Sequence, residues 1–208
     1  MLSLVYPKFL QLPLMNNARL NNILAAIDAI NNEDPNQIVF DDIEQPKEYV
    51  YGHQMTNMLT QHWPQASELL QVAVRAQHIK RWHLKRSEFD LGKKGYFKWR
   101  IALGKFHAQL TQELMLAHGY STEESLQTAA IIRKEQLKSN SDTQTLEDVA
   151  CLVFLQFYFD DFAEKHSEEK IIRVLQKTWG KMSVQGQNIA LTLTLPEHLS
   201  TLVGKALA

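Results

Sequence analysis

The chain has 208 residues, 45% hydrophobic and 22% charged, the balance of a soluble globular protein with enough apolar residues for a full core. Its 22 Lys and Arg against 23 Asp and Glu leave a net charge of −1, which argues against broad electrostatic binding to nucleic acid and leaves room for a local basic patch. Cys151 is the only cysteine, so an internal disulfide and a Cys-based zinc site are excluded, and no apolar run approaches the ~20 residues of a membrane span.

The N-terminal stretch "MLSLVYPKFLQLPLM" is apolar but carries Pro7 and Pro13. It lacks the basic start and small-residue cleavage site of a secretory leader. Residues 1–14 are read as an arm, residues 15–208 as one helical domain, and the cytoplasm as the expected compartment. In "NNARLNNILAAIDAINNEDPN", Leu20, Ile23, Leu24, Ile27 and Ile30 recur at helical spacing until Asn31, Asn32, Asp34 and Pro35 stop the run. "QIVFDDIEQP" reads as a loop with room for a short extended piece. A second helix is expected from about Lys47 to His62, with Tyr51, Met55, Met58 and Leu59 on one face. Pro64 restarts the chain, and a third helix is expected from Gln65 to about Lys80.

After the polar loop "SEFDLGKKGY" comes a long amphipathic helix, "GYFKWRIALGKFHAQLTQELMLAHGY", ending at Gly119. Ser121 followed by Glu124 forms a capping box for the next helix. "LEDVACLVFLQFYFDDFAEKH" is apolar on several faces and reads as a central buried helix. "SEEKIIRVLQKTWGKM" is amphipathic, "QNIALTLTL" suits a short strand or a helix, and "PEHLSTLVGKAL" opens a last helix with Pro. The 3.6-residue period predicts an all-α fold: a single compact multi-helix domain of about eight helices.

Polar groups inside apolar helices cost free energy unless partnered, so they mark candidate sites. His53 lies on the second helix and His78 at the end of the third, a spacing that suits adjacent antiparallel helices. His107 sits mid-helix in "GKFHAQL". Lys134 and Glu135 follow "AAII", and Asp148 lies at the head of the most apolar helix. Each residue also has a purely structural reading: a hydrogen-bonded core histidine, a solvated charge, or, for Asp148, a carboxylate at a helix N-terminus.

Taken in order, these residues resemble the HD-domain superfamily of helical metal-dependent phosphohydrolases and their diiron-oxygenase relatives, over about residues 47–163. The resemblance implies an HD-like fold and a divalent metal (Mn, Fe, Zn or Mg). The implied ligands are His53, His78, His107, Glu135 and Asp148. Ile79 stands where the family's His-Asp doublet has its aspartate. A single-metal site of His53, His78 and Asp148, with Glu135 as a replacement oxygen ligand, is the form compatible with that change. At finer grain, "RAQHIKRW", "IRKE" and "LEDVACLVFL" resemble motifs of a family of unknown function. Some of its members are likened to glutamyl-tRNA synthetase, but no Rossmann pattern or nucleotide signature accompanies the motifs here. That second resemblance directs attention to Gln77, His78, Arg81, Trp82, Tyr96, Trp99, Arg100, Lys134, Glu135 and Asp148.

Together these expectations describe a metal-dependent hydrolase of a small phosphorylated or nucleotide substrate. His78, Lys134, Glu135 and Asp148 would be catalytic. Arg81, Arg100 and Lys134 would supply cations for an anion, and Gln77, Trp82, Tyr96 and Trp99 would line the substrate site. Two alternatives stand beside it: a metal-free domain that binds an anion or a protein, and a non-haem metal oxygenase on the same scaffold. The expected partner is a small anionic ligand, without a membrane.

Overall fold

The structure, a computed structural model, describes residues 18–208, so the N-terminal arm of residues 1–14 lies outside the described residues. The fold is mostly helical, with one two-stranded sheet among the described residues. The chain divides into two compact units. The first holds the described residues up to Asn57 together with Ser67–Arg133, and the second holds Met58–Ala66 and Lys134–Ala208. No helix among the described residues is long and apolar enough to cross a membrane.

In the first unit, α1 (Ala18–Asn31) buries Leu20, Ile23, Leu24 and Ile27, the stripe its sequence spacing predicts. Arg19 anchors its start: the guanidinium lies 4.0 Å over the Tyr120 ring and pairs with Glu68 and Glu124. The segment "QIVFDDIEQP" is a hairpin rather than a loop, with β1 (Gln37–Phe40) antiparallel to β2 (Ile43–Pro46). Its two-residue turn places Asp41 and Asp42 at φ of 52° and 61°. Both central residues of such a turn need positive φ, which Asp tolerates, although Asp-Gly or Asn-Gly is the stronger sequence signal.

Helix α2 (Lys47–His62) has the bounds that its periodicity predicts. Its start is fixed by Asp34, whose carboxylate accepts the backbone N–H groups of Asn36 and Glu48 at 2.9 and 3.0 Å. Helix α3 (Glu68–Ala76) is capped by the Ser67 hydroxyl, which accepts the Leu70 N–H. It stops before the expected Lys80. Lys80 itself is left-handed (φ 51°), and its N–H donates to the buried Asn31 side chain at 3.0 Å. A 3₁₀ turn, Arg81–His83, follows. Helix α4 (Gly92–Ala117) packs on α5 (Thr122–Ile132), and α3 also packs on α5. The Ser121–Glu124 capping box is present at the start of α5. Gly95 permits a close approach: a Cβ there would lie 1.8 Å from the Asp90 carbonyl oxygen, so the loop before α4 presses directly on its first turn.

In the second unit, α6 (Ser141–Val153) runs into a π-turn, Phe154–Tyr158, and then the short α7 (Phe159–Ala163), where a single buried helix is expected. Phe159, Leu155, Ile171, Leu175 and Leu199 form the apolar core there, with Phe154 and Phe162 packed against it. The other elements are α8 (Glu168–Trp179), α9 (Val184–Ala190) and α10 (Glu197–Leu207). The alternating "QNIALTLTL" thus resolves into the end of α9 and a turn.

Candidate functional site

The left-handed Lys80 turns the chain out of α3, so His78 and Arg81 fall on either side of the bend. Glu48, in the first turn of α2, meets both. Its Oε2 lies 3.3 Å from His78 Nδ1, and its Oε1 lies 3.8 Å from Arg81 Nε. The Glu48 side chain is 7% exposed. Burial pushes its carboxyl up to about 7, with Arg81 and Lys47 pulling the other way.

Aromatic rings flank both the His78 imidazole and the Arg81 guanidinium. Tyr51, one turn beyond Glu48, stacks on the His78 ring at 4.2 Å and 14°. The Arg81 guanidinium lies 5.1 Å over the Trp99 ring, whose Nε1–H donates to the Leu84 carbonyl at 3.0 Å. Burial lowers the Arg81 proton affinity. Glu48 opposes this, and the neighbouring charge of Arg100 adds to it. Tyr96 contacts the Trp99 ring at 5.9 Å and is half exposed. Arg100 is exposed and has no carboxylate partner among the described residues.

Behind this layer lies His107 on α4, 6.1 Å from His78 between ring centroids. Its Nδ1–H donates to the Ile79 carbonyl at 2.7 Å, so Nε2 is an acceptor, and it is buried without a hydrogen-bond partner. Burial pushes the imidazole down to about 3. The hydrogen bond to Ile79 opposes this, and Arg81 and Arg100 reinforce it. The Gln77 Oε1 is likewise buried without a partner. Trp82 is half-buried on the 3₁₀ turn. Ile79 is fully buried and acts through its backbone carbonyl.

The first unit therefore gathers His78, Arg81, Trp99, Tyr96 and His107, with the charge of Arg100 acting on both Arg81 and His107. His53 is occupied elsewhere in that unit, its Nε2 lying 3.3 Å from Asp28, which also pairs with Arg75. Glu48 and Tyr51 are absent from the sequence-derived candidates. The sequence carries a signal for them: positions 48, 51, 55, 58 and 59 form one helical stripe, in which Glu48 shares the face of Tyr51, Met55, Met58 and Leu59.

The remaining candidates belong to the second unit. Lys134, left-handed at φ 58°, donates to Glu147, which Lys181 also approaches at 3.3 Å. Burial pushes the Glu147 carboxyl up, but the two lysines outweigh it and hold it below the usual range. Glu135 is exposed. Asp148 is buried and fully engaged: it accepts the Ser183 N–H at 2.8 Å, the Gln144 side chain at 3.0 Å, and the Ser183 hydroxyl. Cys151 is free and buried, with burial and Glu147 pushing its thiol up to about 12, so it is an inert core residue.

Among the described residues, no three His, Cys, Asp or Glu side chains are arranged to hold a metal ion. What the first unit offers instead is an imidazole–carboxylate pair beside two guanidiniums, walled by aromatic rings. The fold and this cluster define a class, mostly helical with a buried polar site. A family model described as a domain of unknown function (DUF4202) matches residues 21–203, and the chain belongs to that family. No curated protein and no solved structure matches the chain.

Proposed function

We propose that the first unit binds a small phosphorylated ligand carrying a planar ring, at the cluster around Arg81. One observation carries the reading: among the described residues, Arg81, held on the Trp99 face, and the neighbouring Arg100 have one close carboxylate between them, Glu48 at 3.8 Å from Arg81. Two guanidiniums beside one buried carboxylate leave positive charge that phosphate oxygens would neutralise, and the planar fork of Arg suits them. Trp99 and Tyr96 supply ring faces for stacking. The acceptors Gln77 Oε1 and His107 Nε2 are suited to a donor on the ligand or an ordered water.

Hydrolysis of that ligand is the finer reading, and it follows the resemblance to HD phosphohydrolases. His78 backed by Glu48 is a proton-handling pair. It would take a proton from water as the water oxygen bonds to phosphorus, and return it to the ester oxygen that leaves. The metal that this family uses would need His53 and His78 around one ion, whereas the two engage separate carboxylates, Asp28 and Glu48. As arranged they do not fit that role, and no step is routed through an ion.

Thermal unfolding with adenosine monophosphate tests the binding step. A ligand at about 100 times its Kd stabilises by about 2.7 kcal/mol, so the melting temperature should rise, and Arg81→Ala should abolish the rise. An equal rise in the variant would remove Arg81 from the site.

A further inference from the structure

Between Lys80 and Lys105 the chain carries nine Lys or Arg and two Asp or Glu, a local charge of +7 against −1 for the whole. Most of this charge lies on α4 and the loop before it. Lys94, Phe97, Lys98, Ile101 and Lys105 recur at spacings of three and four, which puts them on one helix face. All five are exposed, Phe97 at 52%. Lys98 reaches Asp90 at 3.4 Å, but Lys94 and Lys105 have no ion pair among the described residues. Around the helix from this face, the Lys93 ammonium lies 5.9 Å over Phe97, Phe97 meets the half-exposed Tyr96 edge-on at 5.8 Å, and Tyr96 meets Trp99. Exposed cations and rings therefore lie side by side along α4 from Lys93 to Lys105.

This pattern selects the partner. A two-fold contact with a second copy would set Lys94, Lys98 and Lys105 against their own counterparts, which like charge opposes. An acidic protein surface would match the lysines but has no general use for exposed ring faces. A polyanion with planar groups matches both, through phosphates on the lysines and bases on the rings.

We propose that this face of α4 is a track for single-stranded nucleic acid, whose terminal nucleotide enters the Arg81 site. The track stands on the α4 face alone, and only the terminal-nucleotide clause rests on the function proposed above. A single strand is required because a duplex hides its base faces, whereas Phe97 and Tyr96 present ring planes rather than groove-reading donors.

The test is fluorescence anisotropy of a labelled oligothymidylate of about 15 nucleotides, titrated with the full chain at several salt concentrations. Wild type should bind, and more weakly as salt rises. Lys94→Glu with Lys105→Glu should weaken binding by about tenfold or more and reduce the salt slope by about 1.4, which is two contacts at about 0.7 each. Phe97→Ala should weaken it about fivefold with the slope unchanged. The charge-reversed variant should still bind adenosine monophosphate as wild type does, which confirms that it is folded. No binding by wild type, binding undiminished in the charge-reversed protein, or equal binding of a duplex would overturn the proposal. So would binding to phosphatidylserine vesicles without binding to the oligonucleotide, since that would make the face a membrane contact. Oligonucleotide binding without binding of the mononucleotide would retain the track and discard the Arg81 reading.

Discussion

Glu48 and His107 are two groups that burial shifts in opposite senses. The Glu48 carboxyl ordinarily titrates near 4.5 and is raised to about 7, so the folded protein holds its proton more tightly than the unfolded chain does. Its contribution to stability is greatest below pH 4.5 and is lost as pH rises toward 7. Relative to Glu48→Gln, wild type should lose on the order of 3 kcal/mol between about pH 4 and pH 8, measured by urea unfolding. A difference that stays constant with pH would mean that Arg81 and Lys47 keep the carboxylate ionised throughout. His107 shifts the other way, since burial holds it down at about 3. Its neutral form favours folding above its ordinary 6.5, and that advantage is lost as pH falls toward 3. The His107 ring proton resonances should show a neutral imidazole through about pH 5. A midpoint near 6.5 would contradict its burial. At this scale the sequence discloses His78, Arg81 and His107, because charges and imidazoles stand out in apolar helices. It conceals Glu48, because an acid in the first turn of a helix is expected on dipole grounds alone, and only the tertiary packing buries it.

The helix ends decide where the side chains point. Periodicity predicts α2 at about its observed bounds, and the local sequence predicts the Ser121–Glu124 capping box of α5, since both signals are local. It overruns α3, because the stop at Ala76 comes from a distant side chain: Asn31 accepts the Lys80 N–H, a contact 49 residues apart in sequence. The hairpin is hidden for a related reason, its turn being made by two Asp residues whose positive φ the strand pairing imposes. In the second unit, α9 is held by Asp148, which accepts both the N–H and the hydroxyl of Ser183 at the N-cap of that helix. Gly186 is pressed against this carboxylate, and a Cβ there would lie 2.7 Å from the Asp148 Cγ. Gly186→Ala should therefore destabilise the protein by about 1–3 kcal/mol. Asp148→Ala should cost at least as much, because three part-buried donors, the Ser183 N–H and hydroxyl and the Gln144 side chain, lose their acceptor, at about 1 kcal/mol or more each. Urea unfolding checks both. Full stability in Asp148→Ala would show that the residue is not a structural clasp and would return it to the candidates for chemistry.

At the scale of the whole molecule, the chain combines a net charge near zero with a strongly basic stretch, and Arg81, Tyr96, Trp99 and Arg100 of the cluster lie within that stretch. Composition alone averages this away, which is why it argues against broad binding to nucleic acid while leaving a local patch open. The two compact units divide the sequence-derived candidates, with the histidine and arginine cluster in the first and Lys134, Glu135 and Asp148 in the second. The first unit's cluster is the more complete as a ligand site, since it combines surplus cations, ring faces and buried acceptors. The most direct test is calorimetric titration of adenosine monophosphate into chelator-treated wild type and Arg81→Ala. Binding to wild type without added metal, weakened by about tenfold or more in the variant, is the predicted result. Binding that appears only when a divalent ion is restored, or that is unchanged by Arg81→Ala, would contradict it.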